Sequence, residues 1–224
     1  GARVASLRSA QLLFQKSREN AFPAKMVEES VELFSVQEAL EQKTGRENAF
    51  VNLSLTETIH SVVALAALPP EELNRSRSGG EALTPEWCHN EAAQIAKRFG
   101  VSDKRLWRIR IKAMGASNQW EQLRRLAGTR TRPPVGYAPF AEAAILGKRP
   151  TEEIFAYTEK VQDLEKRFDL CAKAGASGVN GGWSRALDVA AALKDLRRLH
   201  LVRLNCGDPA LIARIDELQS RLPM

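Results

Sequence analysis

Apolar side chains recur along this chain every three or four residues, which is the spacing of helices with one or two buried faces. The pattern predicts about ten or more helices, each roughly 10 to 18 residues long and joined by short turns. No segment alternates apolar and polar residues as a half-buried strand does. The sequence therefore predicts an all-α fold.

The first half of the chain contains clear helix-start signals. Ser54 and Glu57 are spaced as a capping box, and Thr84-Pro85 is a capping residue followed by a proline suited to a first helical turn. We expect Phe22-Pro23 to end a first helix before a second one begins. The predicted helices cover 4–20, 25–44, 55–66 and 84–99, and a polar surface loop is expected over 71–83.

A helical hairpin is predicted at the centre of the chain. Ser102 and Gly115 are expected to cap its first helix, and Ser117 and Gly128 to bracket its second. Wound at 3.6 residues per turn, residues 103–114 place four cations on one arc, which we call the basic strip. The basic strip consists of Lys104, Arg105, Arg108 and Lys112, and the flanking apolar residues are Leu106, Ile109 and Ala113 on one side and Trp107, Ile111 and Met114 on the other.

A helix with apolar surface on both flanks is packed between two neighbours. This is the arrangement found in an α-solenoid of stacked helical hairpins, as in irregular clathrin-repeat arrays. We therefore expect residues 1–224 to form one α-solenoid. On charge pattern alone, an ordinary solvated face is the favoured interpretation of the basic strip.

The second half continues the helical pattern. Helices are predicted over 138–146, from Pro150-Thr151 onward, over 161–174, over 184–203 and over 208–222. Cys171 falls on an apolar stripe and is expected to lie in the core. The glycine-rich segment 175–182 lacks the ending of a phosphate loop and is expected to be a surface linker.

Composition adds a question about charge. The 224 residues have a formal net charge of +6 and 44% hydrophobic residues, which is typical of a folded, soluble chain. A basic chain suggests a nucleic-acid binder. However, the charges are spread along the chain and aromatic residues do not interleave with them, so an acidic protein or an anionic membrane explains the charge equally well. A basic helical nucleic-acid-binding protein remains the alternative, although we expect no nucleic-acid partner.

Enzyme chemistry has no candidate in the sequence. The three histidines lack acid partners at a recognisable spacing, and no nucleophile, phosphate-loop or metal motif is present. Cys88-His89 has no second ligand pair, so neither a metal nor a cofactor is expected. Three widely spaced cysteines suit reduced thiols in a cytosolic protein. The chain begins at Gly1 within helical sequence, and we expect it to be a piece of a longer, non-catalytic protein.

The central motifs carry a family resemblance. Asp103-Lys104-Arg105-Leu106-Trp107, followed by Trp120-Glu121-x-Leu123 and Gly136-Tyr137-x-Pro139-Phe140, resembles the C-terminal region of the vacuolar protein sorting-associated protein 16 family. The resemblance extends more weakly from Phe50 to Ala190. Ser102 stands where the family pattern leads us to expect proline, and Arg108 where we expect a second tryptophan.

The resemblance implies a scaffold role. Members of this family are core subunits of the HOPS and CORVET membrane-tethering complexes. By resemblance, this segment would bind the SM-family subunit, vacuolar protein sorting-associated protein 33, for SNARE-mediated fusion. The chain would then be cytoplasmic, peripheral on late endosome and vacuole (lysosome) membranes, and associated with membranes only through the complex and its other core subunits.

The same resemblance indicates the contact residues. Arg105 matches the family arginine that contacts the SM partner, and the other three members of the basic strip share its arc. Met26 corresponds to a small-residue position that also faces the partner. Trp107 and Trp120 are expected to be core residues of the hairpin.

Overall fold

The structure is a computed structural model, and it describes residues 21–75, 82–129 and 132–221 together with Ser6, Ser9 and Leu12. No strand occurs in this part of the chain, so the predicted all-α class is confirmed. The predicted helix over 4–20 lies outside the described residues apart from those three positions, which are helical. The coordinates divide into two compact units between Ser102 and Asp103, and each unit is described by itself below.

The first unit contains α1 (Ala21–Thr44), α2 (Leu55–Leu65), α3 (Pro70–Asn74) and α4 (Pro85–Arg98). The second contains α5 (Asp103–Ala116), α6 (Trp120–Gly128), α7 (Ala138–Leu146), α8 (Thr151–Thr158), α9 (Leu164–Ala176), α10 (Gly182–Leu193), α11 (Leu196–Asn205) and α12 (Pro209–Arg221). Within each unit, neighbouring helices pack against each other, which is consistent with an α-solenoid.

The core of the first unit lies where α2 packs on α4. One polar side chain, Gln37, links α1 to this pair, because its Nε2 donates to the Leu53 carbonyl at 2.8 Å and to Thr58 Oγ1 at 2.9 Å. Buried amides of this kind are stable only when they have partners, so these bonds fix the orientation of α1 on α2. The fully buried apolar residues here include Leu40, Ile59, Val62, Val63, Cys88 and Ala92.

Both helix starts predicted in this unit are present. Ser54 Oγ accepts from the Glu57 N–H at 3.3 Å, and Glu57 Oε2 accepts from the Ser54 N–H at 2.8 Å. Hydrogen bonds from Ser54 also hold the pKa of the Glu57 carboxyl below its ordinary value. Thr84 Oγ1 accepts from the Trp87 N–H at 3.1 Å, and Pro85 occupies the first helical position. The capping-box prediction is therefore confirmed.

Only the first residues of the segment predicted as a loop over 71–83 differ from the expectation, and residues 76–81 lie outside the described part of the chain. Pro70 starts the short helix α3, whose Leu73 is buried. Asn74 Oδ1 then accepts from the Leu83 N–H at 2.7 Å, and Asn74 Nδ2 donates to the Leu83 carbonyl at 3.1 Å. A single apolar residue among polar ones gives no periodicity, which is why the pattern did not predict α3. A second difference is that α1 already includes Phe22 and Pro23, so the helix predicted from residue 25 begins earlier than expected. The end of the helix predicted before it lies outside the described residues.

The core of the second unit begins where α5 packs on α7. The Trp107 and Phe140 rings make an edge contact with centroids 6.4 Å apart, and Tyr157 lies against Phe140 at 5.7 Å. Aromatic pairs of this geometry contribute beyond the area that they bury. Three helices, α5, α7 and α8, are thus joined by one aromatic cluster. Burial raises the pKa of Tyr157 to about 12.

The end of α5 differs from the prediction that Gly115 caps it. The helix continues to Ala116, and the left-handed residue is Asn118, with φ of 58°. Gly115 instead allows close packing, because a Cβ at this position would lie 3.2 Å from the Ala143 Cβ of α7. The next helix is preceded by Gln119 and not by Ser117, whose hydroxyl donates back to the Ala113 carbonyl at 2.7 Å.

The glycines predicted to form a linker over 175–182 hold two helices together. Gly175 belongs to α9 and Gly182 to α10, and only residues 177–181 connect them. A Cβ at Gly182 would lie 2.6 Å from the Gly175 Cα and 2.9 Å from the Ala174 carbonyl carbon. Because both are backbone atoms, α9 and α10 approach more closely than helices bearing side chains at these positions can. The prediction that Cys171 of α9 lies in the core is confirmed.

The single helix predicted over 184–203 is two helices. Lys194 adopts a left-handed conformation with φ of 53°, and Asp195 caps α11 by accepting from the backbone N–H groups of Arg197 and Arg198 at 2.9 and 3.1 Å. The sequence here has no glycine or proline, so the usual helix-ending signals are absent. Packing of α11 back onto α10 forms a core that includes Leu187, Leu199, Val202 and Ile215.

Candidate protein-binding site

The structure confirms the two-faced register predicted for α5. All four side chains of the basic strip are exposed: Lys104, Arg105, Arg108 and Lys112. The apolar residues predicted on the flanks face the interior, and Trp107 is only 5% exposed. The buried residues of α5 are Trp107, Ile109, Ile111, Ala113 and Met114.

The helix that carries the basic strip is held from the opposite side. Trp107 contacts Phe140, and Gly115 lies against Ala143, so α7 supports both ends of α5. Arg110 is partly buried, and this burial lowers the pKa of its guanidinium while the charge of Asp103 opposes the shift. The basic strip is therefore presented by a helix with little freedom to rotate, so its four side chains keep a defined spacing.

The charges of the basic strip differ from those elsewhere in how they are balanced. In the part of the chain that the structure describes, Lys104, Arg108 and Lys112 form no ion pair. Several arginines on other helices do form such pairs, with distances of 2.5 to 3.1 Å: Arg98 with Glu32, Arg124 with Glu153, Arg203 with Asp216 and Arg214 with Asp188.

Met26 lies in the other compact unit, near the start of α1. Its side chain is 50% exposed, and its carbonyl accepts from Ser30 Oγ at 2.8 Å. An exposed methionine is adaptable in shape and suits a contact with a partner. The four residues of the basic strip share one helix, whereas Met26 is an exposed apolar position in the first unit.

The two tryptophans of the predicted hairpin have different surroundings. Trp107 is buried, as expected, whereas Trp120 is half-buried. The Trp120 ring lies beside Gly147 and under the Arg149 guanidinium, whose carbon is 4.9 Å from a ring centroid. Trp120 of α6 thus packs against the end of α7, and the Arg149 guanidinium lies over its ring.

Sequence reasoning missed a groove beside the basic strip. Arg108 and Lys112 line one wall of it, and residues of α7 and α9 form the rest. Its walls come from segments up to about sixty positions apart in the chain, so no local pattern could have indicated it. One signal was available, since Leu146 is a leucine that falls outside the buried stripe of α7.

The described residues provide little for catalysis or metal binding. No group of three or more potential ligands comes together in the part of the chain that was searched. Burial raises the pKa of the Cys88 and Cys171 thiols to about 11, which leaves them in the unreactive thiol form at neutral pH. Among the described helices, none is both long and apolar enough to span a bilayer.

Comparison with known proteins identifies the family. The family model described as "Vps16, C-terminal region" matches residues 1–69 and 86–214, and its match omits 70–85. The chain is similar to the vacuolar protein sorting-associated protein 16 homolog of Dictyostelium discoideum, with 24% identity over 92% of this chain and 21% of that protein. It is also similar to the protein VACUOLELESS1 of Arabidopsis thaliana, with 28% identity over 78% of this chain and 18% of that protein.

A third similarity is local. The vacuolar protein sorting-associated protein 16 homolog of Drosophila melanogaster is 38% identical over 55 residues, which is 25% of this chain and 6% of that protein. The chain spans about a fifth of the length of the first two relatives. The family match covers well over half of the chain, including all of the residues of the basic strip. The chain therefore belongs to the family of Vps16 C-terminal regions.

Proposed function

We propose that this chain is the part of a HOPS- or CORVET-type tethering subunit that binds and positions the SM-family subunit, vacuolar protein sorting-associated protein 33. The role is that of a non-catalytic scaffold, which places the SNARE-binding partner within the complex for fusion at endosomes and vacuoles. Family membership and the vacuolar sorting role printed in the names of the relatives support this proposal. The protein would be cytoplasmic and would reach late endosome and vacuole membranes only through the complex.

The single observation that carries the proposal is the exposed basic strip on a firmly packed helix. Three of its cations have no carboxylate partner in the described residues. Acidic groups on a partner surface can therefore pair with them, and no ion pair within this chain has to be broken first. A rigid helix also loses little conformational entropy on binding. Within the strip, Arg105 is the residue that we propose to dominate the contact.

Arg105 is suited to such a contact by its chemistry. Its planar guanidinium can donate two parallel hydrogen bonds to one carboxylate, which a lysine ammonium cannot. Lys104, Arg108 and Lys112 would surround this contact and add long-range attraction that speeds the encounter. Met26 would add an apolar contact from α1.

The test is a binding measurement between the 224-residue chain and purified SM-family subunit, for example by calorimetry at two salt concentrations. Arg105→Glu is expected to weaken binding by about 2 kcal/mol or more, the range of an interface hot spot. The matched control is Arg197→Glu, which makes the same charge change at an exposed arginine of α11. Both variants should keep the wild-type helix content and melting temperature.

Three outcomes would contradict the proposal. The wild-type chain fails to bind the SM-family subunit, or Arg105→Glu binds as tightly as wild type, or Arg197→Glu loses binding to the same extent. If the chain does not bind the SM-family subunit but retards RNA or DNA in a gel-shift assay at low salt, the result would instead support the nucleic-acid alternative.

A further inference from the structure

We propose that a groove between α5, α7 and α9 is a docking site for an acidic amphipathic helix of a partner protein. The groove has a volume of about 720 Å³ and lies within the second unit. Helix-in-groove recognition requires an apolar floor, a rim of charge opposite to the ligand, and enough length for two or more turns. Arg105 does not line the groove, whereas Arg108 and Lys112 of the basic strip do.

The apolar residues that line the groove come from three helices. α7 contributes Pro139, Ala143 and Leu146, α5 contributes Ile111, and α9 contributes Leu170. On α7 these positions lie opposite the residues that fill the core, so this helix has two apolar faces. One face is covered by the protein, and the other lines the groove.

Leu146 is the clearest sign that the groove lacks its occupant. Leu146 is 72% exposed, although it is a large aliphatic residue at the end of a helix in which Glu142 is the one charged residue. Burying such a side chain is favourable, and an exposed apolar surface rimmed by polar groups marks an interaction site. A partner that covers Leu146 recovers this free energy.

The rim has an excess of positive charge. Arg108 and Lys112 lie on α5, one turn apart, and Lys166 and Lys173 lie on α9, two turns apart. Lys166 also contacts Asp163 of its own helix at 3.3 Å, whereas Lys173 makes no ion pair in the described residues. Cations on both walls of an apolar groove fit a helix that has an apolar stripe flanked by Glu and Asp on each side.

Two carboxylates in the lining favour a protein over a nucleic acid. Glu142 and Asp169 would repel phosphate groups, while they could accept hydrogen bonds from a partner's polar side chains or helix N-terminus. None of the residues that line the groove is aromatic, so it offers no surface on which bases could stack. Four cations against two carboxylates select for a moderately acidic ligand.

The probe is a fluorescein-labelled synthetic peptide of about 18 residues, roughly five helical turns, with leucine on one stripe and glutamate elsewhere. Its binding to the 224-residue chain is followed by fluorescence anisotropy, beside a scrambled peptide of the same composition. We expect saturable binding of the amphipathic peptide that weakens as salt is raised, and at least about tenfold weaker binding of the scrambled one.

Two groove variants locate the binding. Leu146→Glu and Lys173→Glu should each weaken the binding of the amphipathic peptide by about tenfold or more. The matched controls are Leu204→Glu, at a leucine that is 71% exposed on α11, and Lys97→Glu, at an exposed lysine of α4. Both controls should bind as wild type does. All four positions are exposed, so folding is checked simply by comparing melting temperatures.

The outcomes separate this inference from the proposed function. Arg105→Glu should keep its affinity for the peptide, and Leu146→Glu should keep its affinity for the SM-family subunit. The inference is overturned by an absence of saturable peptide binding, by equal binding of the scrambled peptide, or by wild-type affinity in both groove variants. It is also overturned if phosphatidylserine-containing vesicles, but not the peptide, bind in a way that depends on Leu146 and Lys173.

Discussion

Two surfaces of the second unit use the same residue types in opposite ways. On α10, Arg185 pairs with Glu159 of α8 and stacks on Phe155 at 4.1 Å, and Asp188 pairs with Arg214 of α12 at 2.8 Å. The outer face of α10 is thus closed by its own neighbours. The basic strip of α5 is exposed, and three of its cations, Lys104, Arg108 and Lys112, form no ion pair within the described residues, so their charges remain available to another molecule.

The two surfaces are also supported differently. Behind α10 lies a contact between the Gly175 and Gly182 backbones, whereas behind α5 lies an aromatic contact between Trp107 and Phe140. A charged face on an amphipathic helix has the same appearance in a sequence whether its charges are paired or not. The lesson is that the partners of the charges, and not their number, distinguish a structural face from a binding face.

The largest expected effect comes from disrupting the backbone contact behind α10, the helix whose charges are paired. Gly182→Ala places a Cβ among backbone atoms of Gly175 and Ala174 that no side-chain rotation can move aside. We expect the free energy of unfolding to fall by at least about 3 kcal/mol, the upper range for overpacking. The measurement is urea denaturation. The control is Gly207→Ala, where no described atom lies within 4 Å of the added Cβ and the change should stay below about 1 kcal/mol.

The next largest effect is expected from removing the aromatic contact behind α5, the helix that carries the basic strip. Trp107→Ala deletes a buried ring that joins α5 to α7, and it should lower the free energy of unfolding by about 3 kcal/mol. Thermal melting followed by circular dichroism measures this loss. An unchanged melting temperature would mean that the ring is not buried and that the register of α5 is different.

A smaller effect compares the two charged faces directly. Arg185→Ala removes an ion pair and a ring contact and should cost about 1 kcal/mol, since the pair is partly exposed. Lys112→Ala removes a cation that has no carboxylate partner among the described residues, and it should change stability by less than about 0.5 kcal/mol. Equal losses in the two variants, measured by chemical denaturation, would remove the distinction between a closed and an open face.

The smallest expected effect is a dependence of stability on pH. Backbone hydrogen bonds to the N-cap residues Asp163 and Asp195 hold the pKa values of these carboxyls below their ordinary range. Their stabilisation is therefore complete above about pH 5 and is lost as pH falls through the lowered values.

Asp195→Asn isolates this contribution, because asparagine keeps the capping acceptor but has no charge to lose. We expect its free energy of unfolding to fall less steeply than that of the wild type between about pH 5 and pH 3. Parallel curves for the two proteins would contradict the assignment of the lowered pKa to the cap.

The sequence predicted what depends on local spacing. The two faces of α5, the capping box at Ser54 and the helix start at Thr84-Pro85 all follow from residues within one or two turns of each other. The proposed contact at Arg105 came from the family resemblance together with this register. The faces of α5 and the two helix starts were predictable because neighbouring residues alone determine them, whereas the contact at Arg105 stays a proposal.

What was missed depends on packing between distant segments. Gly175 and Gly182 have the spacing of loop glycines in the sequence, but in the structure they allow α9 and α10 to approach closely. The break at Lys194 is stabilised by Asp195 and by the return of α11 onto α10, with no proline or glycine to mark it. The groove beside the basic strip requires three helices to meet, which periodicity cannot reveal.

The Asn74 side chain has a consequence for how this chain can change in length. Its amide holds the backbone of Leu83 from both sides, so the two ends of the intervening segment stay at a fixed separation. Closing a longer segment between fixed ends is inexpensive, since each doubling of length costs only about 0.6 kcal/mol. An epitope tag or a fluorescent reporter inserted between Asn74 and Leu83 is therefore expected to leave α3 and α4 in their places.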